Sequence, residues 1–207
     1  MNIIVRHLDG TVTCRPDTSW ERENKDIYAP APVKVLRYAP VLFVRICKAG
    51  KCVGVKFTDR YWDGFNYGVL LYGGIADEAA AVPQNEQGGT PSPLHWSECT
   101  DHTSILPFPL YNPLVLENDD KEFTLRKNGK LLYTTSEGSA LMVGNAISEA
   151  SELVSLRIGD ILAIELQNPE DLDARIQETG DEEGGQTPCL LEGTFLETET
   201  LSHQIIF

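Results

Sequence analysis

Three stretches of this chain bring together side chains of the types that do chemistry. Glu197-Thr198-Glu199 sets two carboxylates two residues apart. On a strand, side chains alternate between faces, so this pair would project from one face, as a bound divalent cation requires. Asp101-His102-Thr103-Ser104 lines up an acid, an imidazole and two hydroxyls, the parts of a hydrolytic nucleophile and its base. No sequence around it reads as a strained nucleophile elbow. Asp181-Glu182-Glu183 concentrates charge among glycines. Each stretch also has a plainer reading: a solvated strand face, a turn and a solvated loop. The five cysteines (14, 47, 52, 99, 189) and four histidines (7, 95, 102, 203) show no zinc-ligand spacing, and no Cys-x-x-Cys occurs. The odd cysteine count suits reduced thiols in a cytoplasmic protein. Neither a phosphate loop nor a dinucleotide fingerprint is present.

Charge narrows the partners. Seventeen Lys and Arg against 31 Asp and Glu give a net charge of −14. That balance excludes nucleic acid and anionic membrane as natural partners, because both select for positive surfaces. The opening Met-Asn-Ile-Ile-Val-Arg is too short an apolar run for a signal peptide, and no stretch approaches the length of a membrane span. At 207 residues the chain can bury a core without disulfides or structural metal. It reads as a single domain, 1–207, of a cytoplasmic protein.

The elements that must position these groups are mostly strands. Asn2 to Arg6 and Thr11 to Cys14 flank Asp9-Gly10, a tight-turn dipeptide, and predict a hairpin. Val33 to Cys47 is strand-rich, with Pro40 predicting a bulge, an edge or a break. Phe57 to Asp63 predicts a short helix ending at Gly64, and Phe65 to Tyr72 a buried strand. Residues 77–102, with Pro83, Gly88-Gly89, Pro91 and Pro93, read as a long loop. Asn128-Gly129 predicts a type I′ hairpin within 123–134. Val143, Ile147, Ala150 and Val154 recur at helical spacing. A strand over 156–166 turns at Gly159-Asp160. Residues 168–187, almost all acidic among their charges, read as a second long loop, and 190–207 as β-rich.

The order of these segments resembles the fumarylacetoacetate hydrolase family in its short bacterial form, over roughly residues 12 to 166. Arg15-Pro16-Asp17-Thr18-Ser19 is similar to the family's Lys-Pro-Asp-Thr-Ser, and Arg37-Tyr38 with Leu42 to Lys48 is similar to its His-Tyr-Glu-x-Glu-Leu-Val-Val strand. Asp59 to Asp63 and Gly68 resemble the helix and strand that follow. Asp101 stands where the family has the Asp of Lys-x-Phe-Asp. Ser155-Leu156-Arg157-Ile158-Gly159-Asp160-Ile161-Leu162 resembles its Thr-Leu-x-x-Gly-Asp-Leu-Ile run. The resemblance implies an α+β, mostly β fold, a mixed β-sandwich or roll with a few short helices. It also implies Mg²⁺ held by carboxylates, a 2-oxo acid or 1,3-dicarbonyl substrate, and a homodimer.

The same resemblance implies that the machinery is missing. The Glu-x-Glu ligands fall on Ala39 and Val41, and the third ligand, an Asp, falls on Leu70. The family's lysine is replaced by Glu98, its Gly-Thr-Pro by Glu165-Leu166-Gln167, and its N-terminal catalytic His and Glu have no counterpart. Mg²⁺ needs oxygen donors in near-octahedral array, and these three side chains supply none. The expectation is a non-catalytic family member that binds a copy of itself, an active family paralogue or an unidentified small molecule, with no cofactor. A rival is an active hydrolase, decarboxylase or isomerase with a relocated site using Asp101, Glu98, Glu165 or the Glu197/Glu199 pair, which would need Mg²⁺. A third possibility is an unrelated acidic β-rich binding protein.

Overall fold

The computed structural model describes residues 1–74, 97–118, 120–175 and 188–207. Asp9-Gly10 closes the first hairpin, with Gly10 in the left-handed region at φ +86°. This joins β1 (Asn2–Arg6) to β2 (Val12–Pro16). There follow β3 (Trp20–Glu21), β4 (Ile27–Tyr28), β5 (Val35–Ile46), β6 (Trp62–Gly74), β7 (Ser104–Ile105), β8 (Phe123–Lys127) and β9 (Lys130–Thr135). A helix, α1 (Ala140–Leu153), is capped by the Ser139 hydroxyl, which accepts from the Met142 amide. β10 (Ile161–Glu165), β11 (Glu170–Ala174), β12 (Cys189–Phe195) and β13 (Thr198–Ile206) complete the order.

Two sheets form among the described residues. The larger runs β2-β1-β10-β5-β6-β7-β3, with β11 also paired to β5, and the smaller runs β4-β13-β12-β8-β9. Alternation along the strands gives the larger sheet two apolar faces. One face, with Leu42, Val44, Phe65, Tyr67 and Leu162, packs against Phe123, Leu191 and Phe195 of the smaller sheet and Val143 and Ile147 of α1. The other carries Ile3, Val5, Ala39, Val41, Phe43, Leu70, Tyr72, Leu106, Ile161 and Ala163, all buried. β1 and β10 lie side by side in parallel, Ile3 opposite Ile161 and Arg6 opposite Ile164. This parallel pair fixes the second face, because it adds the N-terminal hairpin to the sheet beside β10, which in turn pairs with β5.

The structure corrects several expectations. Pro40 neither breaks nor bulges its strand: β5 runs unbroken for 12 residues. On one side of β5, β10 pairs as far as Val41 and β11 takes over at Tyr38. Pro40 sits at that changeover, where its carbonyl accepts from the Leu166 amide and no ladder partner asks for the missing N–H. The helix predicted over 57–63 is a 3₁₀ helix, Val55–Arg60, and Gly64 lies inside β6. Within the segment 168–187, Glu170–Ala174 is strand, because Arg37 and Lys127 meet Asp171 and Asp173 there. Glu197 belongs to the turn between β12 and β13, in left-handed backbone at φ +60°, so Glu197 and Glu199 share no strand face. Pro83, Gly88-Gly89, Pro91, Pro93 and Asp181-Glu182-Glu183 lie outside the described residues.

Gly68 shows how tightly the second face is built. It pairs with Val41, and a Cβ at this position would collide with the Ile105 carbonyl of β7. Only glycine lets β7 approach this closely.

Candidate functional site

The three positions implied as metal ligands converge. Ala39 and Leu70 are direct cross-strand partners, and Val41 lies two residues along the same face of β5. All three are 0 % exposed, packed among Phe43, Leu106 and Ala163. A cation at this point would meet methyl and isobutyl groups and no oxygen donor, so the residues present do not fit Mg²⁺. Among the described residues, no group of three His, Cys, Asp or Glu side chains is placed to hold a metal ion.

At the edge of this apolar face stands a polar cluster assembled from five segments. β10 ends on Glu165, opposite Val41, with its carboxylate on the same face as Ile161 and Ala163. Tyr72, two residues beyond Leu70, donates its hydroxyl to Glu165 Oε1 at 2.5 Å. The alternation Ile3, Val5, His7 brings the His7 ring to the same place. Its Nδ1 lies 3.1 Å from Glu165 Oε2, and its Nε2 lies 2.9 Å from Thr13 Oγ1 and 3.7 Å from Glu98 Oε1. Arg15 stacks its guanidinium over the Tyr72 ring, 4.4 Å from the centroid. Its Nη1 donates to the carbonyls of Leu71 and Thr103 and to the hydroxyls of Thr103 and Ser104.

The electrostatics follow from burial and pairing. Burial acts to lower the His7 pKa, but the hydrogen bond and charge of Glu165, helped by Glu98, outweigh it and leave the pKa above its ordinary value. Burial, more than any neighbouring charge, pushes the Tyr72 hydroxyl well above the usual phenol range, so Tyr72 stays a hydrogen-bond donor. The cluster is therefore a carboxylate flanked by an imidazole and a phenol, beside a buried guanidinium. It can exchange a proton through His7 and can hold an anion through Arg15.

Of the predicted site residues, Glu98 and Glu165 are brought together, through His7. Asp101 is not: it stands exposed in a turn. With His102, Cys99 and Glu21 it borders a separate cavity of about 440 Å³. His102 Nδ1 faces Glu21 Oε2 at 2.9 Å, whereas Ser104 faces Ser19 and Arg15. The run Asp101-His102-Thr103-Ser104 thus sends its imidazole and its serine to different partners and makes no nucleophile–base pair. Glu199 is exposed and remote from the cluster's strands. Sequence reasoning missed His7, Tyr72 and the buried guanidinium of Arg15. The period-2 phase of His7 with Ile3 and Val5 was the available signal.

The fold and this face define a class. The architecture is that of fumarylacetoacetate hydrolase family proteins. A protein assigned to that family from Yersinia pestis CO92 superposes with a TM-score of 0.74 at 14 % identity, covering 99 % of this chain and 92 % of that one. Maleylpyruvate hydrolase from Sphingobium sp. SYK-6 gives 0.70 at 13 % identity, over 99 % and 70 % of the two chains. Fumarylpyruvate hydrolase from Pseudomonas aeruginosa, whose structure contains Mn²⁺ and pyruvate, gives 0.69 at 14 %, over 100 % and 90 %. At these identities the likeness is one of fold. No protein-family model matches the sequence, and no curated protein matches it.

Proposed function

We propose that this chain uses the fumarylacetoacetate hydrolase fold without the family's metal-dependent chemistry and acts by binding. One observation carries the reading: Ala39, Val41 and Leu70 occupy the implied metal position as fully buried apolar packing. A Lewis acid cannot be held where no donor exists, and without one the carbonyl of a 2-oxo acid is not polarised for reaction. Titration calorimetry with Mn²⁺ or Mg²⁺ tests this, together with an acylpyruvate and oxaloacetate turnover assay. The expected result is no saturable site with a Kd below about a millimolar and no turnover above background. A stoichiometric site that maps to β5 and β6 overturns the reading.

A second reading has its own observation, the convergence of Glu98 and Glu165 on His7. It makes the chain an enzyme with a relocated acid–base centre. A metal-dependent rate abolished by Glu165→Ala would establish it.

The binding reading includes self-association. Leu114, Leu141, Leu153 and Ile158 stand 65–78 % exposed, apolar surface of the kind a second copy covers. Light scattering at micromolar concentration is expected to return twice the chain mass of 22.9 kDa. The mass of one chain would overturn the homodimer.

A further inference from the structure

Arg15 is a buried cation without a counter-ion among the described residues. It is 1 % exposed. Among the described residues it enters no ion pair within 4.0 Å. The acids nearest in the cluster, Glu165 and Glu98, are directed at His7. A guanidinium does not relieve burial by losing its proton, because its pKa lies above about 12. Buried charges in proteins are ordinarily paired, and a charged group left without a partner is among the most destabilising features of a fold.

The way Arg15 is bonded shows which part of it is unsatisfied. Nη1, at one corner of the plane, is fixed by the Leu71 and Thr103 carbonyls and two hydroxyls. Among the described residues, Nε and Nη2 have no partner within hydrogen-bond geometry, the Tyr72 hydroxyl being the polar group that interacts with the guanidinium. These two nitrogens form one side of the guanidinium plane, with parallel N–H vectors. That is the fork a carboxylate fills with two oxygens. The Arg15 Cζ lies 4.4 Å from the centroid of the Tyr72 ring, and both free nitrogens are buried. A flat two-oxygen anion lying in the guanidinium plane satisfies this geometry, whereas a tetrahedral anion that offers two oxygens to the fork still carries its others out of the plane and needs more room. His7 and Glu98, with side chains 15 % and 10 % exposed, are the least buried members of the cluster and mark its side toward solvent.

We infer that the Nε/Nη2 edge of Arg15 is the anchor of a metal-independent binding site for a small carboxylate. The inference rests on the binding reading above and supplies its ligand class: a short organic acid whose carboxylate lies in the guanidinium plane. No bond is made or broken, and Arg15 has the role of a recognition residue.

The experiment observes the Arg15 Nε–H resonance of the ¹⁵N-labelled full chain in EDTA-containing buffer. Formate or acetate is titrated against sodium chloride at matched ionic strength. The expected result is a saturable movement of that one resonance with a midpoint on the order of a millimolar, as for a single bidentate contact. A rise in melting temperature should accompany it, because the ligand binds only the folded state. Inorganic phosphate is expected to move the signal less. Arg15→Lys keeps the charge and loses the fork, so the carboxylate response should vanish while chloride behaviour is unchanged. The wild-type titration stands by itself if that variant fails to fold. An unmoved resonance, an equal response to chloride or phosphate, or a response surviving in a folded Arg15→Lys overturns the inference. Because EDTA removes divalent ions, a failure here is separate from a failure of the metal-free reading, which calorimetry with Mn²⁺ decides.

Discussion

Leu70→Asp is expected to destabilise the fold by about 3–5 kcal/mol, the cost of an uncompensated buried charge. Leu70 is 0 % exposed, directly opposite Ala39 and packed on the second face of the larger sheet with Val41, Phe43 and Leu106. Nothing in that set can donate a hydrogen bond to a carboxylate. The new side chain must either remain charged in an apolar site or take up a proton at neutral pH. Leu70→Ala separates the two contributions, since it removes apolar packing without adding charge and should cost about 2–4 kcal/mol. Urea unfolding of both variants beside the parent measures the difference. The triple change Ala39→Glu, Val41→Glu, Leu70→Asp should melt lower still in metal-free buffer. It should recover in part with Mg²⁺, because three converging carboxylates then constitute a ligand set that exists only in the folded state. A triple variant that melts as the parent does, with and without Mg²⁺, would contradict the convergence of these positions.

Removing the Glu165 carboxylate should cost on the order of 3 kcal/mol, and the loss should depend on pH. Glu165 is buried and accepts from Tyr72 at 2.5 Å while it faces His7 at 3.1 Å. In Glu165→Ala the Tyr72 hydroxyl loses its acceptor inside the protein and His7 keeps only Glu98 nearby. Burial then dominates, and the His7 pKa, raised in the parent, should fall. The sign of the pH dependence follows from linkage. A histidine whose folded pKa exceeds its unfolded value of about 6.5 contributes its full stabilisation below that value. It loses the contribution as pH climbs through the higher folded value. The stability gap between parent and His7→Gln should therefore be widest in mild acid and close progressively above neutrality. Chemical denaturation across pH 5 to about 9, with the His7 ring titrated by NMR in parent and Glu165→Ala, checks both statements. A gap that widens with rising pH would show that His7 is held neutral in the native state and that the pairing is misread.

The local punctuation of this chain was legible without a structure. Asp9-Gly10 and Asn128-Gly129 mark hairpins because their residues tolerate positive φ, which Gly10, Asn128 and Gly129 adopt here. The apolar period of 143–154 makes a helix because its neighbours are three and four residues apart. The absence of oxygen donors at Ala39, Val41 and Leu70 was also readable, since residue type fixes donor capacity whatever the fold. The local rules went wrong where a partner strand changed the terms. Pro40 is tolerated because β10 ends and β11 begins beside it. Glu170–Ala174 is strand because β5 offers it a ladder and Arg37 and Lys127 offset its charge. Glu197 is lost to a turn whose position depends on how β12 meets β13. The site lay furthest from the sequence. His7 and Glu165 are 158 residues apart, and Arg15 and Thr103 are 88 apart. Alternation places each side chain on one face of its own strand, but only sheet order decides which faces coincide. The parallel pairing of β1 with β10 is a long-range choice, made by burying Ile3, Val5, Ile161 and Ala163 together. That burial sets His7 against Glu165. The sequence by itself determined that Ala39, Val41 and Leu70 carry no oxygen donors, and the tertiary packing decided which polar groups came to stand beside them, because only sheet order brings residues so far apart in the chain to one face.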